Sequence, residues 1–177
     1  MNHGRPLDLL TVRTRPGHRT KGLLVAGPLA IPVSLGRGGI KADKREGDGG
    51  TPRGLFQLRR LWWRADRAPR PRTQLPVRPI RSDDAWSEDP SDRRYNRPFK
   101  RRPDEAGDRL WREDHLYDLI IEIDHNTRPR VAGRGSAVFV HLARDGFLPT
   151  AGCVGLKRTA LTRLLERVGP RTKIHIH

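Results

Sequence analysis

The only cysteine of this chain lies in the stretch Phe147-Leu-Pro-Thr-Ala-Gly-Cys-Val-Gly-Leu156, directly after a glycine. An apolar stretch typical of a buried strand, Ala137-Val-Phe-Val-His141, ends in a histidine twelve residues before Cys153. Thiolate is the reactive form of cysteine, and an imidazole within hydrogen-bond reach can take up the thiol proton near neutral pH. The pair therefore indicates a thiol nucleophile with its base. The alternative is a buried, inert cysteine beside a core histidine, since free cysteine is among the most buried residue types.

Short apolar stretches punctuated by glycine and proline run along the rest of the chain, a pattern typical of short strands joined by turns. These stretches are Leu10–Thr14, Gly22–Ala26, Leu29–Leu35, Phe56–Leu61, Tyr117–Ile123, Ala137–Leu142 and Thr172–His177. From Leu156 to Val168 the apolar residues recur at helical spacing, and Gly169 and Pro170 end this pattern. We therefore predict a mostly β domain, a β-sandwich or a mixed sheet, with one C-terminal helix.

Residues 62–115 form the least regular part of the sequence and are rich in proline and in paired charges. A segment of this length without regular structure inside a compact domain is usually either functional or disordered. All tryptophans of the chain fall in this segment, at Trp62, Trp63, Trp86 and Trp111. Because large aromatic side chains favour burial, we predict a long central excursion that packs on the domain rather than a flexible linker.

The length of 177 residues favours a single domain, residues 1–177, whose core is large enough to need no metal or disulfide. One cysteine excludes an internal disulfide, and the sequence has no CxxC or HExxH pattern, so no structural zinc site is expected. We interpret His175 and His177 as the polar face of the last predicted strand rather than as metal ligands.

The formal net charge of +16 is spread along the chain and comes mostly from arginine. A basic surface favours anionic partners such as nucleic acid, acidic lipid or cell-wall polymer. The sequence has no RNP-like, helix-turn-helix or zinc-finger pattern, so no specific nucleic acid is expected and a basic nucleic-acid-binding protein is the weaker alternative. No apolar run is long enough for a transmembrane helix. The stretch Met1–Leu10 has no apolar core of a secretory signal peptide, so we expect either that export depends on sequence outside this chain or that the protein stays inside the cell.

Three segments, in this order along the chain, resemble the L,D-transpeptidase catalytic domain, the YkuD family of cell-wall enzymes. Thr51-Pro-Arg-Gly-Leu-Phe56 resembles the family's upstream Thr-Pro-x-Gly-x-Phe turn and strand. Gly133-Arg-Gly-Ser-Ala-Val-Phe-Val-His141 resembles the strand that leads to the family's histidine. Thr150-Ala-Gly-Cys-Val-Gly-Leu156 and the following helix resemble its [Ser/Thr]-x-Gly-Cys block. The resemblance covers most of residues 20–177.

The resemblance implies a cysteine acyltransferase that acts on peptidoglycan stem peptides in the bacterial cell envelope or periplasm, without metal or cofactor. The Cys153 thiolate would attack the carbonyl between the third residue of a tetrapeptide stem and its terminal D-alanine, and a thioester to Cys153 would remain. An amine from a neighbouring stem would give a 3-3 crosslink, whereas water would give L,D-carboxypeptidase trimming. A monomer is the expected state.

The expected roles follow from the chemistry and from the resemblance. His141 would remove the thiol proton and later protonate the leaving amine, and the pair is expected to rest as thiolate and imidazolium. In the family a backbone carbonyl after the histidine orients the imidazole, which here implies Leu142. The amides around Gly152 and Cys153 are candidates for the oxyanion hole. Two further residues, Arg144 and Thr150, are candidates for substrate binding, and Arg134 lies near them in the sequence.

The chain departs from the family pattern at three points. The family usually has a second histidine directly before Gly-Cys, where this chain has Ala151. Gly155 stands where arginine, asparagine or alanine is common, and the interval between His141 and Cys153 is short. These departures suggest a divergent subgroup. They also keep open a second hypothesis, a catalytically silent peptidoglycan-binding module of the same fold.

Overall fold

The computed structural model describes residues 5–177 and consists mainly of β-strands. The strands are β1 Leu9–Arg15, β2 His18–Ala26, β3 Leu29–Ser34, β4 Ile40–Lys41, β5 Thr51–Pro52, β6 Gly54–Trp63, β7 Val77–Pro79, β8 Asp84–Trp86, β9 Pro98–Lys100, β10 Asp108–Arg109, β11 Leu119–Ile123, β12 Phe139–Leu142, β13 Val154–Leu156 and β14 Lys173–Ile176. Within the described residues there is one α-helix, α1 Arg158–Leu165, and one 3₁₀ turn, Asp145–Phe147. The predicted mostly β class with one C-terminal helix is confirmed.

The main sheet has nine strands in the order β11-β12-β13-β3-β2-β1-β14-β6-β7. It is mixed, because the pairs β1–β14, β12–β13 and β6–β7 are parallel and the others antiparallel. β11 pairs with β6 as well as with β12, so the sheet closes on itself and leaves only β7 outside the ring. Of the two predicted arrangements, the structure therefore has the mixed sheet.

The main core lies inside this closed sheet and follows from the alternation of apolar residues along the strands. In β1, for example, Leu10 and Val12 are buried while their neighbours face outward. α1 covers the core with Leu161, Leu164 and Leu165. The helix is shorter than the predicted apolar pattern, since residues 166–172 turn toward β14 and still bury Val168.

The central excursion is ordered, as predicted, but its boundaries differ from the predicted 62–115. β6 continues through Trp63, and the excursion itself contains β7 and a small three-stranded sheet, β10-β8-β9. A second apolar cluster joins the excursion to the main sheet. In this cluster the Trp86 ring meets the Phe139 ring edge-to-face at 5.0 Å, and Cys153 lies beside them. The excursion is thus part of the surroundings of the cysteine.

Two glycine-rich loops pack on the turn that precedes Cys153. Thr51, for which the sequence predicts a turn, is in β5, and its buried Oγ1 accepts a hydrogen bond from the Gly36 amide at 2.8 Å. A Cβ atom at position 36 would lie 2.1 Å from the Gly49 carbonyl oxygen and 3.0 Å from the Gly152 Cα. The backbones approach so closely that side chains are excluded, which explains why this part of the sequence is rich in glycine.

Gly155, one of the departures from the family pattern, has a steric explanation. β13 lies between β12 and β3, and a Cβ at position 155 would be 2.3 Å from Ser34 Oγ and 3.1 Å from Ala143 Cα. Within the described residues, the buried Ser34 Oγ has no hydrogen-bond partner. The small residue therefore allows β13 to pair with both neighbours.

We predict that Gly155→Ala lowers the free energy of unfolding by about 1–3 kcal/mol, the usual cost of overpacking a core. Ser34→Ala removes the nearest clashing atom and leaves no donor or acceptor unpaired, so the double variant should regain part of the loss. Urea unfolding of the two single variants and the double variant measures the coupling. Strictly additive effects would contradict the assigned contact.

Candidate active site

The parallel pairing of β12 with β13 places the two predicted chemical groups on neighbouring strands. His141 is paired with Gly155, and Cys153 directly precedes β13. Both residues line one cavity of about 400 Å³. Gly152 and Thr150 line the same cavity. The structure therefore brings together residues that the sequence alone could only place near each other.

His141 is held in one orientation by the main chain. Its Nδ1–H donates a hydrogen bond of 2.8 Å to the carbonyl oxygen of Leu142, since a carbonyl can only accept. The ring also meets the Tyr117 ring edge-to-face at 5.3 Å. This tautomer leaves Nε2 without a proton. Burial lowers the pKa of His141 to about 4, so the ring is neutral near pH 7.

The Cys153 thiol is hydrogen-bonded to the backbone rather than to His141. Sγ donates to the Ala137 carbonyl oxygen at 3.3 Å and accepts from the Phe139 amide at 3.3 Å. Burial raises the pKa of the Cys153 thiol to about 12, and the Phe139 amide opposes this shift. Among the described residues, Sγ has no hydrogen bond to His141. Burial thus favours the neutral form of both groups, and Sγ bonds to the backbone instead of to the imidazole; the expected thiolate–imidazolium pair stays a prediction.

The turn before Cys153 is fixed by the Thr150 hydroxyl. Thr150 Oγ1 donates to the Cys153 carbonyl oxygen at 2.6 Å and accepts from the Gly152 amide at 3.1 Å. Gly152 has φ of +145°, and a Cβ there would lie 2.8 Å from the Gly50 carbonyl oxygen, so this position requires glycine. Because the Gly152 amide already has an acceptor, the Cys153 amide becomes the stronger oxyanion-hole candidate. The oxyanion role of Gly152 and the substrate role of Thr150 stay predictions.

The two arginines that the sequence singled out lie in different surroundings. Arg144 is exposed on the cavity wall and has no ion pair with any described residue. Arg134 pairs with Asp43 at 2.6 Å and does not line the cavity. Arg37, which the sequence did not single out, is exposed on the cavity wall like Arg144.

The central excursion supplies cavity residues that sequence reasoning missed. Tyr117 donates a hydrogen bond of 2.7 Å from its hydroxyl to Asp108, and Arg112 lies 5.0 Å from the centre of the Tyr117 ring. Three carboxyl groups line the cavity, those of Glu46, Glu88 and Asp108. No motif marks them, because they come from distant parts of the chain. The cavity thus carries both acidic and basic side chains.

The described residues 5–177 contain neither a cluster of side chains arranged to hold a metal ion nor a helix that could span a membrane. No group of three or more histidine, cysteine, aspartate or glutamate side chains there is arranged to hold a metal ion. His175 and His177 stack on each other with ring centres 4.7 Å apart. No helix in this part of the chain has the length and apolar character needed to cross a membrane.

Comparison with known proteins places the chain in a family. The family model of the L,D-transpeptidase catalytic domain, YkuD, matches residues 19–176. The chain belongs to this family. No curated protein matches the sequence.

A comparison with solved structures finds two L,D-transpeptidases. An L,D-transpeptidase from Mycobacterium tuberculosis H37Rv has a TM-score of 0.48 and 12% identity, with 97% of this chain and 58% of that chain covered. L,D-transpeptidase 1 of Mycobacterium tuberculosis has a TM-score of 0.39 and 14% identity, with 95% of this chain and 61% of that chain covered. The chain therefore spans less than two thirds of the length of these proteins.

The neutral state of the site predicts an unusual pH profile for Cys153. The rate of alkylation by iodoacetamide should rise about tenfold per unit from about pH 7 to about pH 10 without levelling off, because the pKa of the thiol lies at about 12. A free cysteine peptide, as control, levels off above its pKa of about 8.5. A plateau at or below that value in the folded protein would contradict the neutral resting state.

Proposed function

We propose that this protein is a cysteine acyltransferase that acts on peptidoglycan stem peptides, either as an L,D-transpeptidase or as an L,D-carboxypeptidase. The observation that carries the proposal is the orientation of His141. Its Nδ1–H is bound to the Leu142 carbonyl, so Nε2 is the ring nitrogen left to accept a proton, and His141 and Cys153 line the same cavity. Family membership supports the substrate class and a location in the cell envelope.

In the proposed reaction, the Cys153 thiol first exchanges its hydrogen bond with Ala137 for one with His141. The Nε2 lone pair takes the thiol proton, and sulfur forms a bond to the stem carbonyl carbon as the carbon–oxygen double bond opens. The bond to the D-alanine nitrogen then breaks, and His141 gives its proton to the leaving amine. A thioester on Cys153 remains.

The second half of the reaction mirrors the first. An acceptor amine or water attacks the thioester carbonyl and loses a proton to His141. The carbon–sulfur bond breaks, and His141 returns the proton to the departing Cys153 sulfur, which becomes a thiol again. The high pKa of Cys153 makes the thiolate a poor resting state but also a strong nucleophile once it is formed. We assign stabilisation of the developing oxyanion to the Cys153 amide, and one such donor is typically worth about 10²–10³ in rate.

Cys153→Ala and His141→Gln should each abolish release of D-alanine from a tetrapeptide muropeptide, since one removes the nucleophile and the other its proton acceptor. Chromatography with mass detection of the muropeptides measures the loss. His115→Gln is the matched control, because His115 is exposed and pairs with Asp118 outside the cavity. Turnover near the native rate in either of the first two variants would refute the site.

Arg144 is the residue that we assign to a carboxylate of the stem peptide, because it lies on the cavity wall without a carboxylate partner among the described residues. Arg144→Gln should raise KM about tenfold with little change in kcat, the effect of losing one charge-assisted contact made equally in ground and transition states. Arg13→Gln, on the exposed face of β1, serves as the control. An unchanged KM would remove Arg144 from the binding site.

A second candidate function is a catalytically silent peptidoglycan-binding module. The observation that favours it is the Cys153 thiol, which is neutral and bound to Ala137 rather than to His141. Ala151 also leaves the site without the family's usual second imidazole. Binding of intact peptidoglycan by the native protein, without change in the muropeptide profile, would favour this candidate.

A further inference from the structure

The side chain of Asn96 lies in the central excursion and uses all of its hydrogen-bonding groups. Its Oδ1 accepts from Trp86 Nε1 at 2.9 Å and from the Ala137 amide at 3.2 Å. Its Nδ2 donates to the carbonyl oxygens of His125 at 3.0 Å and Asn126 at 2.9 Å. Asn96 is only 4% exposed, so each of these contacts is made away from water.

The amide that Asn96 holds belongs to a residue in an uncommon conformation. Ala137 has φ of +50°, in the left-handed region that alanine seldom adopts. Such conformations persist where the surroundings hold them, and they are frequent at functional sites. The neighbouring Tyr95 hydroxyl accepts from the Gly135 amide at 3.0 Å and donates to Glu46. Two adjacent residues of the excursion therefore hold the backbone just before β12.

The held segment is the one that binds the cysteine. The Ala137 carbonyl oxygen accepts from Cys153 Sγ, and the Phe139 amide, two residues later, donates to the same sulfur, both at 3.3 Å. Asn96 Oδ1 thus binds the Ala137 amide, and the carbonyl oxygen of the same residue binds the Cys153 thiol. The proposed acyl transfer uses Cys153 but by itself gives no role to these two contacts.

We propose that Asn96 is a positioning residue that fixes the Ala137 carbonyl against the Cys153 thiol and so sets the resting state from which acyl transfer begins. The effect of Asn96 on turnover rests on the proposed function. Its effect on the contact between Ala137 and Cys153 does not, because that contact is present in the protein without substrate. While the thiol donates its hydrogen bond to the Ala137 carbonyl oxygen, the sulfur stays protonated and reacts poorly with electrophiles. The thiol becomes a nucleophile only when it turns to His141.

Removal of Asn96 should release this contact. Without Oδ1, the Ala137 amide has no partner and its left-handed conformation is no longer enforced, so the carbonyl turns away and water reaches the sulfur. A thiol that loses its acceptor and gains water has a pKa nearer the ordinary value of about 8.5. The other charged or titratable groups near the thiol stay in place: Lys44, Glu88, Asp108, Tyr117 and His141.

The test is the pH dependence of Cys153 alkylation by iodoacetamide in the folded protein, with the fold checked by circular dichroism. In Asn96→Ala and Asn96→Ser the rate should level off below about pH 10, near the ordinary thiol pKa, whereas in the native protein it should keep rising. A residue that acts only on stability would lower the melting temperature without moving this profile. No substrate is needed, so the outcome does not depend on the proposed reaction.

Asn126→Ala is the matched control. Asn126 is also an asparagine with positive φ, at +50°, and its side chain ties Val131 and Gly135 within the same loop without contacting Ala137. Its profile should resemble that of the native protein. The profile of Asn96→Asp should also keep rising, because the acceptor for the Ala137 amide is retained.

Either of two results would overturn the proposal. The first is a profile in Asn96→Ala and Asn96→Ser that rises as in the native protein. The second is an alkylation rate that levels off in Asn126→Ala or Asn96→Asp as it does in Asn96→Ala and Asn96→Ser. If the alanine and serine variants yield no folded protein, Asn96→Asp decides: an alkylation rate that keeps rising as in the native protein supports the contact through Oδ1, whereas a plateau contradicts it.

Discussion

The parallel pairing of β12 with β13 is the constraint on which the rest of the site depends. It fixes His141 opposite Gly155 and brings Cys153, directly before β13, to the same cavity. The pairing requires a small residue at position 155, because Ser34 and Ala143 fill the space that a side chain would need. The turn before β13 requires glycine at position 152, where the chain passes close to the Gly50 carbonyl. Gly152 and Gly155 thus allow the backbone to pack closely against its neighbours, and this packing places the Cys153 thiol.

Burial is the second determinant of the site, and it acts against the charged form of both chemical groups. A charged imidazole and a charged thiolate are each disfavoured away from water, so the pKa of His141 falls and that of Cys153 rises. The excursion contributes to this burial through the second apolar cluster. A well-packed site thus favours the neutral form of both groups. In the proposed reaction, substrate binding and movement of the thiol proton to His141 start the chemistry.

Much of the fold and part of the site could be predicted from the sequence. Alternating apolar residues and turn-forming glycines indicated the strands, and the Gly-Cys block with its upstream histidine indicated the family, because these patterns are local. The ring closure through β6 and β11 was not predictable, since it joins residues far apart in the chain. The same holds for Asn96, whose side chain binds the amide of Ala137, which is distant in the chain. The burial of both groups, which favours their neutral forms, was not predictable, because sequence proximity of a cysteine and a histidine does not reveal how deeply they are buried.

The most direct test of the thioester mechanism is intact-protein mass spectrometry after brief reaction with a tetrapeptide muropeptide and acid quenching. We expect a mass increase equal to the stem without D-alanine, located on Cys153 after digestion and absent in His141→Gln. Release of D-alanine without any adduct on Cys153 in rapidly quenched samples, together with turnover by Cys153→Ala, would contradict a thioester mechanism at this site.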